Sequence, residues 1–212
     1  MGHSFGTYIA IKTVQQYPEY YNAYIAMAQT CNQIESEYMA YDYMKAQYEQ
    51  LGNIKMVEKF ENCPIRESDE MYTKYFSSSL RDTAMHELGV GTTRDMDSVI
   101  TGIFFPSLRC KAYTWQERIN LWRGKGLSAQ FPVVNDSTHF NAFSEVPSLQ
   151  IPIYFFAGKY DYTCCFDLQY EYYEQINAPI KEFYVFDNSA HSPIFEEPEE
   201  AAKSFEEILE AE

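Results

Sequence analysis

The sequence predicts an α/β fold, with parallel strands at both ends of the chain and a helical block between them. Three observations carry this expectation. Near the start, a helical stretch leads directly into an apolar run of strand length. Near the end, two strand-like runs alternate with two helical stretches. Between the ends, apolar residues recur three or four apart instead of in short continuous runs. Strands alternating with helices of about ten to fifteen residues imply βαβ units and a parallel sheet.

Taken in order, Phe5 to Tyr17 has no glycine after Gly6 and no proline, and Pro18 stops it, as expected of a helix. Ala23 to Ala28 is a short apolar run suited to a buried strand. In residues 35–51, Glu35, Tyr38, Met39, Tyr41, Met44, Tyr48 and Leu51 form an amphipathic stripe, so a helix is expected there. A second helical stretch is expected over 68–86 and a third over Trp115 to Trp122, with glycines 89, 91, 102, 124 and 126 as punctuation. Ile151 to Gly158 reads as a strand with a glycine exit. Cys165 to Asn177 then reads as a helix and Lys181 to Phe186 as a strand. Glu196 to Glu210 reads as an acidic helix with Pro198 in its first turn, where proline is tolerated.

Composition narrows the function. The 212 residues suit one domain, or one domain carrying an insertion, and 46% are hydrophobic, enough for a real core. Acidic residues number 31 against 16 basic ones, a net charge of −15. That argues against nucleic-acid binding and against docking on anionic lipid. No run approaches the roughly 18 apolar residues that span a bilayer. Met-Gly-His-Ser at the start has neither the basic nor the apolar stretch of a signal peptide. Cys31, Cys63, Cys110, Cys164 and Cys165 are odd in number, and their spacings match no zinc pattern. They read as reduced thiols, which places the protein in the cytoplasm. The 19 tyrosines and 15 phenylalanines point to half-buried packing and an apolar pocket. With no phosphate loop and no metal-spaced cluster, no cofactor or metal is expected.

Gly2-His3-Ser4-Phe5-Gly6 matches G-x-S-x-G, in which a serine sits on a tight strand-to-helix turn. The helix that follows supplies N–H groups for a developing negative charge. The strand expected before the turn is absent, because the chain begins three residues before Ser4. A serine nucleophile needs a base, and the base needs an orienting carboxylate. Of the four histidines, His3 is expected to point elsewhere, and His86 and His139 lie in the helical middle. His191 follows the last strand in a short loop, where ligands meet an α/β sheet. Asp161 follows the neighbouring strand and is preferred as the acid. Asp187 competes from the end of the last strand, and Asp167 lies inside a helix. The order Ser4, Asp161, His191 is that of α/β-hydrolases. Arg109, Arg118 and Arg123 read as solvated, or as partners for a substrate carboxylate or for the many acids. The acidic tail reads as a solvated helix face.

The chain resembles the C-terminal two-thirds of a capped α/β-hydrolase fold protein of the proline-iminopeptidase-like kind. The resemblance rests on Gly-His-Ser-Phe-Gly at 2–6, Ile-Pro-Ile-Tyr-Phe-Phe-Ala-Gly-Lys-Tyr-Asp at 151–161, and Ser-Ala-His-Ser-Pro with Glu-Glu-Pro-Glu at 189–199. It implies a partial α/β-hydrolase core at 1–30 and 146–212 and a helical cap at 31–145. It also implies Ser4 as nucleophile, His191 as base, Asp161 as orienter and the Phe5 N–H as an oxyanion donor. The implied function is acyl-enzyme hydrolysis of an ester or amide of a small, rather apolar molecule or short peptide. The family's strands before the serine turn, and the loop giving a second oxyanion N–H, have no counterpart in these residues. That leads to the expectation of a truncated or split product with little hydrolysis of its own. Self-association or a complementing N-terminal segment would cover the exposed sheet edge. The alternative is a non-catalytic remnant or interaction module.

Overall fold

A computed structural model describes residues 1–128 and 130–211. Its sheet has four strands, all parallel, in the order β1 (Gly2–His3), β2 (Tyr24–Met27), β3 (Ile153–Gly158) and β4 (Lys181–Phe186). The fold is α/β, as the alternation of strands and helices predicts. The short strand β1 corrects the expectation that no strand precedes the serine turn. Gly2 pairs with Ala26 and His3 with Met27, so two residues suffice to continue the sheet.

The central strand β3 is buried at every position, which is why its sequence is continuously apolar. Its side chains alternate between two cores. Ile153 and Phe155 pack with Tyr8, Ile11 and Val14 of α1 (Phe5–Gln16) and Tyr172 of α10 (Phe166–Gln175). Tyr154 and Phe156 face Met27, Phe186 and, from α12 (Pro198–Ala211), Ala201 and Ile208. Strand β4 carries Lys181 and Glu182, charges that blunt a sheet edge. The expected acidic helix is α12, which opens on Pro198, and a short helix that the sequence does not separate from it, α11 (Pro193–Glu196), precedes it. The break falls at Glu197, the residue before Pro198, where helical backbone is disfavoured.

Helices α2 to α9 lie between β2 and β3: α2 (Gln33–Gln50), α3 (Ile54–Glu61), α4 (Asp69–Phe76), α5 (Ser79–Glu87), α6 (Phe105–Arg109), α7 (Trp115–Ser128), α8 (Pro132–His139) and α9 (Ala142–Glu145). The first four share their own core, with Met44 and Tyr48 of α2 against Phe60, Tyr75 and Met85. The stretch 68–86 is not one helix but two. Ser77 and Ser78 turn their hydroxyls onto the carbonyls of Thr73 and Tyr75. Ser78 also accepts from the Arg81 N–H as N-cap of α5. Serine's competition with the backbone ends one helix and starts the next. Gly124 and Gly126 lie inside α7 rather than ending it, and no side chain of α7 is buried. Among the described residues no helix is long and apolar enough to cross a membrane.

Within the α2–α5 core, the Tyr75 hydroxyl is buried with no hydrogen-bond partner among the described residues. Desolvation pushes its ionisation well above the usual phenol range. An unsatisfied buried hydroxyl costs about 1–3 kcal/mol. Tyr75→Phe is therefore expected to raise the urea midpoint, with a gain of about 1 kcal/mol. A loss of stability would show that the hydroxyl has a partner.

Candidate active site

The turn between β1 and α1 is strained. Ser4 has φ 55° and ψ −125°, backbone that only glycine adopts freely, at a cost of about 1–3 kcal/mol. Its N–H donates to the Met27 carbonyl at 3.1 Å, which extends the β1–β2 pairing by one residue. Its carbonyl accepts from the Thr7 N–H at 2.8 Å, the Thr7 hydroxyl at 2.5 Å and the Thr30 hydroxyl at 3.3 Å. Gly2 is sterically required, since a Cβ there would stand 2.7 Å from the Gly6 carbonyl oxygen. Gly6 itself faces open space. The Phe5 N–H, first in α1, has no acceptor among the described residues, and neither does the Ser4 hydroxyl.

On the neighbouring strand ends, Asp161 and His191 meet. Asp161 is fully buried, and His191 Nδ1 lies 2.9 Å from Oδ2 and 3.1 Å from Oδ1. Oδ1 also accepts from the backbone N–H groups of Thr163, at 2.8 Å, and Cys164, at 2.9 Å. Oδ2 accepts from Gln169 Nε2 at 3.4 Å. The other contacts to the Asp161 carboxylate come from N–H donors, and His191 faces it through Nδ1, the nitrogen from which an N–H can donate to it. Asp187, the competing acid, instead pairs with Lys159 at the surface. Asp167 lies in the first turn of α10. His86 and His139 each turn back onto a carbonyl of their own helix, those of Asp82 and Asn135.

The loop carrying His191 is held by carboxylates that the sequence presents as part of a solvated tail. Glu197 accepts from the Asn188 N–H at 3.0 Å and the Ser189 hydroxyl at 2.6 Å. Glu196 accepts from the N–H groups of Ala190 and Arg94, at 2.9 and 2.6 Å. Burial still raises the Glu196 carboxyl above its usual range. Gly158 ends β3 because the loop passes over it: a Cβ would lie 1.8 Å from the Ala190 carbonyl oxygen. His3 does not point away. Its Nε2 lies 2.8 Å from the His191 carbonyl, and the two rings are 5.0 Å apart. The clue available in the sequence is a second histidine directly before the motif serine.

A buried polar chain links the two halves of the site. Gln169 Oε1 accepts from the Gln29 N–H at 2.9 Å. The Gln29 side chain accepts from Tyr24, and the next N–H, of Thr30, donates to Thr7 Oγ1. Thr7 in turn donates to the Ser4 carbonyl.

A cleft of about 270 Å³ opens at Ser4, with Phe5, Phe76, Arg81 and Val134 among its walls. Arg81 is the arginine at this cleft. Arg109 and Arg123 are exposed, and Arg118 donates to the carbonyls of Leu108 and Tyr113. The buried thiols Cys31 and Cys164 are pushed well up in ionisation by burial, and Cys165 rises to about 11. None is a thiolate nucleophile at neutral pH. No group of three or more His, Cys, Asp or Glu side chains among the described residues is placed to hold a metal ion.

No family model matches the chain. The chain is similar to a protein of Bacillus subtilis (strain 168) named as the probable aminopeptidase YbaC, with 27% identity over 199 residues. The match covers 93% of this chain and spans 60% of the length of that relative.

The His3 ring carries a pH prediction. Burial first, and the neighbouring His191 second, lower its pKa from 6.5. A histidine whose folded pKa is depressed binds its proton more tightly in the unfolded chain. Stability is therefore complete above about 6.5 and is lost as pH falls toward the folded value. His3→Gln preserves a donor toward the His191 carbonyl without the titration. Urea midpoints measured from pH 8 to pH 5 are expected to fall less steeply for His3→Gln than for the wild type. Parallel curves would show that His3 does not titrate in this window.

Proposed function

We propose that the chain carries the serine-hydrolase site of a capped α/β-hydrolase fold of the proline-iminopeptidase-like kind. In this reading residues 1–30 and 146–212 form the core and residues 31–145 the helical cap. Ser4 is the nucleophile, His191 the general base, Asp161 its orienting carboxylate and the Phe5 N–H an oxyanion donor. The substrate is an ester or amide of a small, rather apolar molecule or short peptide. The observation that carries the proposal is the strained turn at Ser4, whose neighbour His3 touches His191 of a buried, donor-saturated Asp161–His191 pair. Similarity to the probable aminopeptidase of Bacillus subtilis supports a hydrolase in general terms and favours amide substrates. Reduced thiols and the acidic balance support a cytoplasmic protein with neither nucleic acid nor anionic membrane as partner.

The chemistry follows from the proton positions. Asp161 holds the proton of His191 on Nδ1, leaving Nε2 as the base. Nε2 takes the Ser4 proton as Oγ attacks the acyl carbon, and the carbonyl π pair moves to oxygen. The Phe5 N–H at the positive end of α1 meets that charge. His191 then returns the proton to the leaving nitrogen or oxygen as its bond to carbon breaks. Water hydrolyses the resulting acyl ester on Ser4 by the same route. The Ser4 hydroxyl and imidazole are not hydrogen-bonded here, and catalytic contacts often tighten only with substrate bound.

A fluorophosphonate probe reports an activated serine directly. Labelling is expected on the wild-type chain and on none of the Ser4→Ala protein. Asp161→Asn, which favours the wrong imidazole tautomer, is expected to slow labelling by about 10²- to 10⁴-fold. Absence of wild-type labelling, or labelling that survives Ser4→Ala, would overturn the hydrolase reading and favour the non-catalytic one.

A further inference from the structure

We infer that Arg81 is a substrate-recognition residue: its Nη1 donates to a second, neutral carbonyl of the substrate, beyond the one attacked. The proposal rests on the reading of Ser4 as nucleophile, because both residues wall the same cleft. It assigns the substrate class as acylamino or peptide amides in preference to simple alkyl esters.

The guanidinium is fixed on two sides. Its Nε donates to Glu37 Oε2 at 2.7 Å and its Nη2 to Oε1 of the same carboxylate. Its Cζ lies 4.9 Å over the Phe76 ring. Glu37 is fully buried and accepts a further bond from Gln33 at 3.1 Å. The Arg81 side chain keeps 15% of its exposure, and it is the cleft that it borders. Nη1 carries two N–H donors with no acceptor among the described residues. A buried ion pair is no stabiliser in itself, since packed apolar residues often replace one at no cost. Holding a planar donor at one orientation is what such a pair does well.

The ligand's charge follows from the surroundings. Glu37 balances Arg81 at contact distance, and the chain carries −15 overall. An anionic group gains little from a neutralised pair within an acidic protein. A neutral carbonyl needs only the free donor. Phe5, Phe76 and Val134 give the same cleft apolar walls, which suits an apolar side chain beside that carbonyl.

Arg81→Met alone would strand a buried Glu37 charge and risk misfolding. The informative variant is therefore Glu37→Leu with Arg81→Met, with Arg81→Lys as the charge-preserving companion. Two serine-directed probes are compared: an N-acetyl-phenylalanyl diphenyl phosphonate, which has the second carbonyl, and a plain alkyl fluorophosphonate, which lacks it. The ratio of their labelling rates is expected to fall about 10- to 100-fold in the double variant, as loss of one charge-assisted hydrogen bond implies. Arg81→Lys should fall between. A purely structural role would slow both probes in proportion, and an unchanged ratio would overturn the inference. In parallel, N-acetylphenylalaninamide is titrated into the 212-residue chain and followed by amide chemical shifts. Shifts at Phe76 and Arg81, weaker by tenfold or more in the double variant, are expected. Equal binding by the double variant, or stronger binding of the carboxylate N-acetylphenylalanine, would overturn it. If wild-type Ser4 takes neither probe, the hydrolase reading fails while the titration still decides the role of Arg81.

Discussion

A carboxylate with no exposure to water governs the architecture of the site. Burying an ionised Asp161 costs several kcal/mol unless donors surround it. Four donor groups do so: two backbone N–H groups of its own loop, Gln169 from α10 and His191 from the loop after β4. Meeting that requirement fixes much else. The loop after β3 must turn so that Thr163 and Cys164 face back. The helix after it must present Gln169 inward. The last strand must end beneath a loop that delivers an imidazole. Gln169 spends its remaining capacity on the Gln29 N–H and the Cys164 carbonyl, so the constraint passes to the loop after β2 and from there, through Thr30 and Thr7, to Ser4. Partly satisfied, such a chain would be costlier than an apolar core. Fully satisfied, it specifies one arrangement.

Strain sits at the two strand ends that this chain joins. Ser4 after β1 and Ala28 after β2 are the non-glycine residues with positive φ among those described. Each is pinned by the neighbouring strand. The Ser4 N–H donates to the Met27 carbonyl and the Ala28 N–H to the Phe156 carbonyl, at 3.1 and 3.0 Å. Strained backbone persists where its surroundings over-determine it. Here the over-determination comes from strand pairing at both positions and, at Ser4, also from the hydroxyls of Thr7 and Thr30 on its carbonyl.

What the sequence discloses depends on how local the cause is. Strand β3 and helices α1 and α2 are legible because burial on known faces writes a period into the residues. Strand β1 is not, since two residues show no period and only pairing with β2 defines them. The split between α4 and α5 turns on serine hydroxyls whose competition with the backbone shows only in the folded geometry. At the site, the motif at 2–6 and the two post-strand positions lead to Ser4, Asp161 and His191, and the structure brings the last two into contact. His3, Glu196 and Glu197 escape the same reasoning. Each works through a backbone group of the His191 loop, and apart from the histidine directly before the motif serine such bonds leave no signature in residue type. Arg81 escapes for another reason. An arginine in a helical block reads as solvated until the burial of its partner Glu37, 44 positions earlier, is known.

The helical block is tied to the acid's loop as well as standing beside it. Ser36 of α2 accepts from the Cys165 N–H at 2.6 Å, and Gln33 donates to the Thr163 carbonyl at 3.1 Å. One turn along the same helix, Glu37 holds Arg81 of α5, and Tyr162 in the Asp161 loop stacks on Tyr43 of α2 at 4.1 Å. A shift of α2 would therefore move the cleft wall at Arg81 together with the loop that gives Asp161 two of its donors. In such an arrangement the cleft wall at Arg81 and the donors around Asp161 cannot relax independently. Changes in the helical block that leave Ser4, Asp161 and His191 untouched still reach them through the first turns of one helix.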